Sequence, residues 1–144
     1  MKIPKPVTYD SIVEFITIQT RCESNEVLPQ SDLGNDLGVD GDDYEELISE
    51  YSKQFEVDIS GFLWYFHFAE EGNGNSIGGK LFPPPNEHVL HIPVTPVMLL
   101  DFAKKGFWDL KYPEHQLPKR RYDLWINFLL IGLFLAFILY KCLS

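Results

Sequence analysis

The chain has 144 residues, which is enough for one domain of ordinary size and little more. Its 21 acidic and 12 basic residues give a formal charge of −9, which argues against a nucleic-acid binder because phosphate recognition needs a basic face. An apolar content of 45% excludes bulk disorder, and two cysteines are too few for a disulfide framework or a four-cysteine zinc site.

Acidic and basic residues are concentrated in different parts of the chain. Residues 23–58 carry 12 acids against the single base Lys53, and residues 104–121 carry six bases against two acids. The chain therefore has an acidic head and a basic segment that precedes the C-terminal tail. Dense negative charge favours fast association with basic surfaces, although exposed helices also carry charge simply to stay solvated.

The N-terminal part of the chain predicts a short helix over residues 10–20. Asp10 or Ser11 caps it, and Ser11 with Glu14 matches the spacing of a capping box, in which two side chains satisfy backbone N–H groups reciprocally. The polar residues 23–39 follow, and their glycines indicate a long loop before the next helix.

A second, amphipathic helix is predicted from Asp40 to Phe55. Acidic residues crowd its first turn, where the helix dipole favours negative charge. Apolar residues recur at the spacing that turns one face of a helix toward a core. The opposite face is strongly acidic and is the candidate partner-binding surface, formed by Asp42, Asp43, Glu45, Glu46 and Glu50.

The middle of the chain predicts a mixture of elements. Residues 62–68 and 89–94 are rich in aromatic or β-branched side chains and predict a short strand pair, with residues 70–79 as a mobile connecting loop. Residues 96–105 predict a third helix that Thr95 caps. The expected fold class is mainly α, and the strand pair keeps α+β as an alternative.

The uncharged run from Leu124 to Tyr140 predicts a transmembrane helix, because every face of it is apolar. A helix of that length reaches about 25 Å, slightly short of a hydrocarbon core of ~30 Å. Trp125 and Tyr140 lie near its ends, where amphipathic rings prefer the interface. Three basic residues precede the span and one follows it, so the positive-inside rule predicts a cytoplasmic head. They are Lys119, Arg120 and Arg121 before it and Lys141 after it.

The predicted organisation follows from these boundaries. Residues 1–113 form a cytoplasmic domain, 114–123 a basic linker, 124–140 the transmembrane helix and 141–144 a short tail. Within the span, Gly132 and Ala136 form a pair of small residues four apart, which suits a helix homodimer but also occurs by chance in short apolar helices.

The start of the second predicted helix resembles the signature of acyl carrier proteins. It runs Leu37-Gly38-Val39-Asp40-Gly41-Asp42-Asp43-Tyr44-Glu45-Glu46-Leu47, with Phe55 and Ile59 at the offsets of that family. More closely, residues 8–113 resemble an enterobacterial family of carrier-like proteins, domain of unknown function 1493, with Gly106-Phe107-Trp108 after the last helix. The resemblance implies a compact helical fold, and in carriers an acidic face of this kind docks on basic patches of partner enzymes. Together with the predicted span, the enterobacterial family suggests a bacterial inner membrane.

Gly41 departs from the carrier pattern, because carriers bear phosphopantetheine on a serine at this position, directly after the aspartate that matches Asp40. Glycine offers no oxygen nucleophile, so we expect no phosphopantetheine and predict no other cofactor. No metal site is predicted either, since His88 and His91 would lie on opposite faces of a strand without a third ligand nearby.

The sequence therefore predicts a non-catalytic, membrane-tethered interaction module that binds an unidentified basic protein. The alternative is an acidic immunity-type or inhibitory protein that neutralises a basic toxin or enzyme. An enzyme is not expected, because no set of residues with assignable catalytic roles stands out.

Overall fold

The computed structural model describes residues 6–144. Within them the chain forms five α-helices and two short 3₁₀ turns, and no strand, so the mainly helical fold is confirmed. The helices are α1 (Tyr9–Thr20), α2 (Gly41–Phe55), α3 (Ile77–Leu81), α4 (Pro96–Lys105) and α5 (Tyr122–Leu143), with 3₁₀ turns at Trp64–Phe66 and Pro85–His88.

Helix α1 begins slightly earlier than predicted, and its predicted cap is wrong. Thr8 is the cap, because its extended backbone lets Oγ1 accept the N–H of Ser11 at 3.2 Å. Ser11 closes the box by accepting the N–H of Thr8 at 3.0 Å, so Ser11 fills the role expected of Glu14. The expected inward face holds, since α1 buries Ile12.

Helices α2 and α4 match the prediction closely. Asp40 caps α2, whose inward face buries Tyr44 and Tyr51 among others. Thr95 caps α4 through the N–H of Met98 at 3.3 Å, and Gly106 ends it in the left-handed region at φ +80°. Both helices contribute to a core shared with α1.

The core joins these helices through aromatic contacts and one buried hydrogen bond. The hydroxyl of Tyr51 donates to the carbonyl of Leu99 at 2.5 Å, which ties α2 to α4. Phe15 of α1 meets Phe55 edge to face at 5.5 Å between ring centroids. This packing leaves the opposite face of α2 in solvent.

The predicted strand pair is wrong. Residues 62–68 form the 3₁₀ turn at Trp64–Phe66, and they meet the 89–94 segment through the N–H of Ile92, which donates to the carbonyl of Phe66 at 2.7 Å. Phe66, His67 and Phe68 are all buried, whereas a strand would alternate its side chains between two faces. The aromatic content therefore serves a buried turn.

The predicted connecting loop 70–79 ends earlier than expected: residues 71–75 form turns, but 77–79 belong to α3. Ser76 caps this helix by accepting the N–H of Gly79 at 3.0 Å. Gly78 and Gly79 are buried, and a Cβ on Gly78 would lie 2.0 Å from the carbonyl oxygen of Asp123 in α5. Glycine is thus needed for the close approach of α3 and α5.

Candidate functional site

The acidic face, which we define as Asp42, Asp43, Glu45 and Glu46, lies on the solvent side of α2. All four side chains are exposed. No salt bridge within residues 6–144 involves any of them. The structure thus presents a cluster of uncompensated carboxylates on one rigid element, which raises the local negative potential.

Glu50 differs from the rest of the predicted partner-binding set. It is half-buried and accepts a hydrogen bond from Nζ of Lys53 at 2.6 Å, one turn further along α2. This pair sits at the surface and contributes little to stability. It neutralises the C-terminal end of the candidate surface, so the uncompensated charge is concentrated in the first two turns.

Asp40 and Gly41 shape the start of α2. Oδ1 of Asp40 accepts the N–H of Gly41 at 2.9 Å and that of Ala69 at 3.2 Å, which fixes the 69–71 segment beside the helix. Gly41 has φ +53°, in the left-handed region that disfavours residues with a Cβ. A Cβ there would meet Cγ of Glu71 at 2.2 Å, so Glu71 covers the position where a carrier serine would stand.

The basic residues before α5 have unequal roles. Lys119 and Arg120 are exposed, as expected of a charged segment. Arg121 instead donates to Oε2 of Glu70 at 2.6 Å and to Oδ2 of Asp123 at 2.7 Å. Hydrogen bonding to Asp123 and Glu70 raises the pKa of Arg121. Its guanidinium joins Glu70 of the head to Asp123 of α5.

Asparagine side chains extend this contact into α5. Asn73 is buried and donates to Oδ2 of Asp123 at 2.7 Å, while Asn127 accepts the N–H of Gly78 at 2.9 Å and donates to Ser76 at 2.9 Å. We call these residues the stem network: Glu70, Asn73, Ser76, Arg121, Asp123 and Asn127. It fixes the first turns of α5 to the head.

The sequence interpretation missed the stem network because its partners lie about 50 positions apart. Two signals pointed toward it. Asn127 interrupts an otherwise apolar run, and the pair Gly78-Gly79 marks a place where backbones approach closely. Neither signal identifies the other half of the contact, which only the tertiary structure supplies.

Beyond Asn127, every side chain of α5 is exposed, including Tyr140 near the end of the helix. Trp125 in the first turn is exposed as well. Gly132 and Ala136 are also exposed, and nothing lies within 4 Å of the Cβ position of Gly132. Helix α5 is the one helix in residues 6–144 that is long and apolar enough to cross a membrane.

A buried histidine, unnoticed in the sequence, connects three segments of the head. Nδ1 of His67 lies 2.7 Å from the carbonyl of Ile92, and Nε2 lies 2.8 Å from the hydroxyl of Tyr112. That hydroxyl accepts N–H groups from Leu63 at 3.2 Å and Trp108 at 3.0 Å, so its own proton is donated to Nε2. Burial lowers the pKa of His67 to about 4, and the ring is neutral with its proton on Nδ1.

The remaining histidines do not form a metal centre. His91 pairs with Asp32 at 2.5 Å, and His88 lies 3.0 Å from the carbonyl of Pro83. In the part of the chain that the structure describes, no group of three or more His, Cys, Asp or Glu side chains comes together. These histidines therefore serve local hydrogen bonding.

Comparison with known proteins gives one result. A family model described as "Protein of unknown function (DUF1493)" matches residues 8–111, which span α1 through α4. No curated protein and no solved structure matches the chain. Because the family model covers well over half of the sequence, this chain belongs to the DUF1493 family.

Proposed function

We propose that this chain is a non-catalytic interaction module, tethered to a membrane by α5, that binds a basic protein through the acidic face. The observation that carries the proposal is the position of Asp42, Asp43, Glu45 and Glu46 on one exposed helix face without a cationic partner in residues 6–144. By contrast, the carboxylates of Glu70 and Asp123 both form ion pairs with Arg121.

The tether rests on the composition and surroundings of α5. Its leucine and phenylalanine side chains are exposed over most of the helix, and no part of its apolar window is buried within the protein. Such a surface is costly in water and is favourable in hydrocarbon. Lys119 and Arg120 on the head side, against Lys141 on the other, favour a cytoplasmic head at a bacterial inner membrane.

The acidic face begins beside the root of α5. Asp42 and Glu45 line a cleft of about 520 Å³ together with Leu124 and Asn127 of α5. A partner that contacts these carboxylates would therefore lie close to the bilayer. This placement favours a basic partner that is itself attached to the membrane, since confinement to one surface raises its effective concentration.

We propose that the chain keeps only part of the function of a carrier protein. Asp40 caps the helix at the position of the carrier aspartate, but Gly41 has no hydroxyl and Glu71 covers it. Partner recognition by the helix is thus proposed to persist without the prosthetic group. Self-association through Gly132 and Ala136 stays a prediction of the sequence.

A charge-neutralisation experiment tests the docking surface. In one variant Asp42→Asn, Asp43→Asn, Glu45→Gln and Glu46→Gln remove four charges, and in the matched control Asp10→Asn, Glu14→Gln, Glu87→Gln and Glu114→Gln remove four exposed charges elsewhere. Each protein carries a photocrosslinker at Ser49, in the third turn of α2. We expect the crosslinked species in native membranes to be lost in the first variant and retained in the control.

Rising salt should weaken the same crosslink, because screening shortens the reach of exposed charges to about 8–10 Å at physiological ionic strength. Equal crosslinking by both variants would contradict the proposal. The inhibitory alternative uses the same surface and is distinguished by the partner's fate. If the crosslinked partner is an enzyme or toxin that loses activity on binding, the chain is an inhibitor.

The tether and its orientation need separate measurements. We expect the full chain to stay in the membrane fraction after alkaline carbonate treatment. A reporter that is active only outside the cytoplasm should be active after Ser144 and silent at the N-terminus. Release by carbonate would exclude a transmembrane helix, and the opposite reporter pattern would reverse the orientation.

Phosphopantetheine transfer tests the degenerate carrier position. Incubation with coenzyme A and a broad-specificity phosphopantetheinyl transferase should leave the mass of the natural protein unchanged. Gly41→Ser supplies the hydroxyl but places a Cβ against Glu71 at φ +53°, so we expect poor modification. Adding Glu71→Ala removes the steric contact but not the backbone strain, so it should raise modification only in part. A mass gain on the unmutated protein would refute the proposed loss of the prosthetic group.

A further inference from the structure

We propose that α3 and Phe82 lie in the headgroup region of a bilayer that contains anionic lipids, as a second membrane contact beside α5. This inference rests on the proposed membrane tether and adds to it a specific orientation of the head. Local sequence patterns do not indicate this contact, because residues 70–79 are expected to form a connecting loop.

The depth of α3 relative to the membrane follows from its attachment to α5 through the stem network. The helix α5 has 22 residues, and at 1.5 Å per residue it reaches about 33 Å, close to a hydrocarbon core of ~30 Å. The part beyond Asn127 reaches only about 24 Å on the same rise, which matches the core less well than the full helix does. Matching the full helix to the core brings its first turns to the membrane boundary. There Asn127 accepts the N–H of Gly78 and the backbone of Asp123 packs against the same glycine, so α3 lies at that level.

The outward surface of α3 suits that depth. Gly78 faces α5, while Ile77 and Leu81 lie one turn apart and are 60% and 62% exposed. Phe82 is 45% exposed and packs against Tyr122 of α5, with ring centroids 5.5 Å apart. The contact between Phe82 and Tyr122 thus joins the apolar surface of α5 to that of α3.

Four backbone N–H groups of α3 and Phe82 have hydrogen-bond partners within the protein, which suits a poorly hydrated position. The N–H of Gly78 is bonded to Asn127, and that of Gly79 to Ser76. The N–H of Lys80 and that of Phe82 are bonded within the helix. Polar backbone groups must find protein partners where water is scarce, and these four have them.

Cationic side chains surround this apolar surface. Lys80, Lys119 and Arg120 are exposed, and Arg120 lines a recess of about 200 Å³ with Phe82 and Tyr122. Exposed apolar residues beside lysine and arginine are typical of elements that lie in the membrane interface, and anionic headgroups attract such cations. The charge complementarity identifies an anionic lipid surface as the occupant.

Depth-dependent quenching tests the proposal on the full chain. In a Cys22→Ala, Cys142→Ser background, one environment-sensitive fluorophore is attached at Leu81→Cys, Leu90→Cys or Leu133→Cys. The protein is reconstituted in vesicles of phosphatidylethanolamine and phosphatidylglycerol that contain lipids with a shallow nitroxide. Leu90 is the matched control, because it is a leucine of the head that is 87% exposed. Leu133 lies in the middle of α5 and reports the tether itself.

We expect the shallow nitroxide to quench the probe at Leu81 and not the probe at Leu90, and a deep nitroxide to quench the probe at Leu133. Quenching at Leu133 with none at Leu81 would overturn this inference and leave the tether intact. Absence of quenching at Leu133 would refute the tether itself. A Leu81 probe that both lipid nitroxide and aqueous iodide fail to reach would mean that a protein covers α3, which also overturns the inference.

Discussion

Replacement of the buried His67 by asparagine should flatten the dependence of stability on pH. The ring donates from Nδ1 to the carbonyl of Ile92 and accepts at Nε2 from Tyr112. Burial is the main cause that lowers the pKa of His67 to about 4, from an ordinary value of 6.5. The nearby His91 lowers it further, while the carbonyl of Ile92 and the carboxylate of Asp32 oppose the shift.

The direction in which pH changes the unfolding free energy follows from proton binding at His67. Between pH 6.5 and 4 the unfolded chain takes up a proton at His67 that the folded protein excludes, so acidification favours unfolding. The contribution of neutral His67 is fully present above pH 6.5 and declines as the pH falls toward 4. With these two pKa values, lowering the pH from 7.5 to 4.5 costs about 2.5 kcal/mol of unfolding free energy.

Urea unfolding of the full chain in non-ionic detergent measures this free energy across the pH range. His67→Asn keeps an amide N–H for the carbonyl of Ile92 and loses the acceptor for Tyr112. We expect it to be about 1–2 kcal/mol less stable than the natural protein at pH 7.5. Other titrating groups are common to both proteins, so the difference between the two curves should change by about 2.5 kcal/mol toward pH 4.5. This change reverses its sign and leaves His67→Asn about 0.5–1.5 kcal/mol more stable than the natural protein there. Parallel curves would refute the reasoning, as would an imidazole that titrates near pH 6.5 by NMR.

Two further predictions concern α2 and the stem network. Tyr51→Phe removes the donor to Leu99 and should lower the free energy of unfolding by about 1 kcal/mol. Tyr44→Phe removes a buried hydroxyl that has no partner within residues 6–144, so it should be neutral or stabilising in the same urea assay. Equal costs would contradict this comparison. A chain that ends after Pro118 lacks the acceptor for the amide of Gly78, so that amide should exchange with solvent much faster than in a chain that ends after Asn127. Equal protection in both chains would show that the stem network does not hold α3.

Local sequence signals predicted the helices well where the capping residues and the apolar periodicity lie within the helix or directly beside it. Thr95 and Gly106 bound α4, and Asp40 with the spacing of Tyr44 and Tyr51 defines α2, because caps and helical periodicity are encoded within a few neighbouring residues. The same locality accounts for the exposed acidic face, which is the side of α2 left outside once its apolar face is buried.

Predictions that depended on distant partners failed. An aromatic run such as 62–68 is compatible with both a strand and a buried turn. Only the contacts of His67 with Ile92 and Tyr112 decide between the two. One local prediction failed too, for a different reason. Thr8 caps α1 because the Thr8 and Ser11 side chains each accept the other residue's backbone N–H, a pairing that competes locally with the one expected of Ser11 and Glu14.

The sequence by itself determined the acidic α2, the helix α4 and an apolar C-terminal helix, since periodicity, caps and composition are local properties. Only the tertiary structure decided that Arg121 belongs to the head, that Asn127 is bonded to α3, and that Glu71 covers Gly41. Each of these contacts joins residues 30 or more positions apart. Their energies arise from burial and hydrogen bonding that exist only when the chain has folded, so no local pattern can specify them.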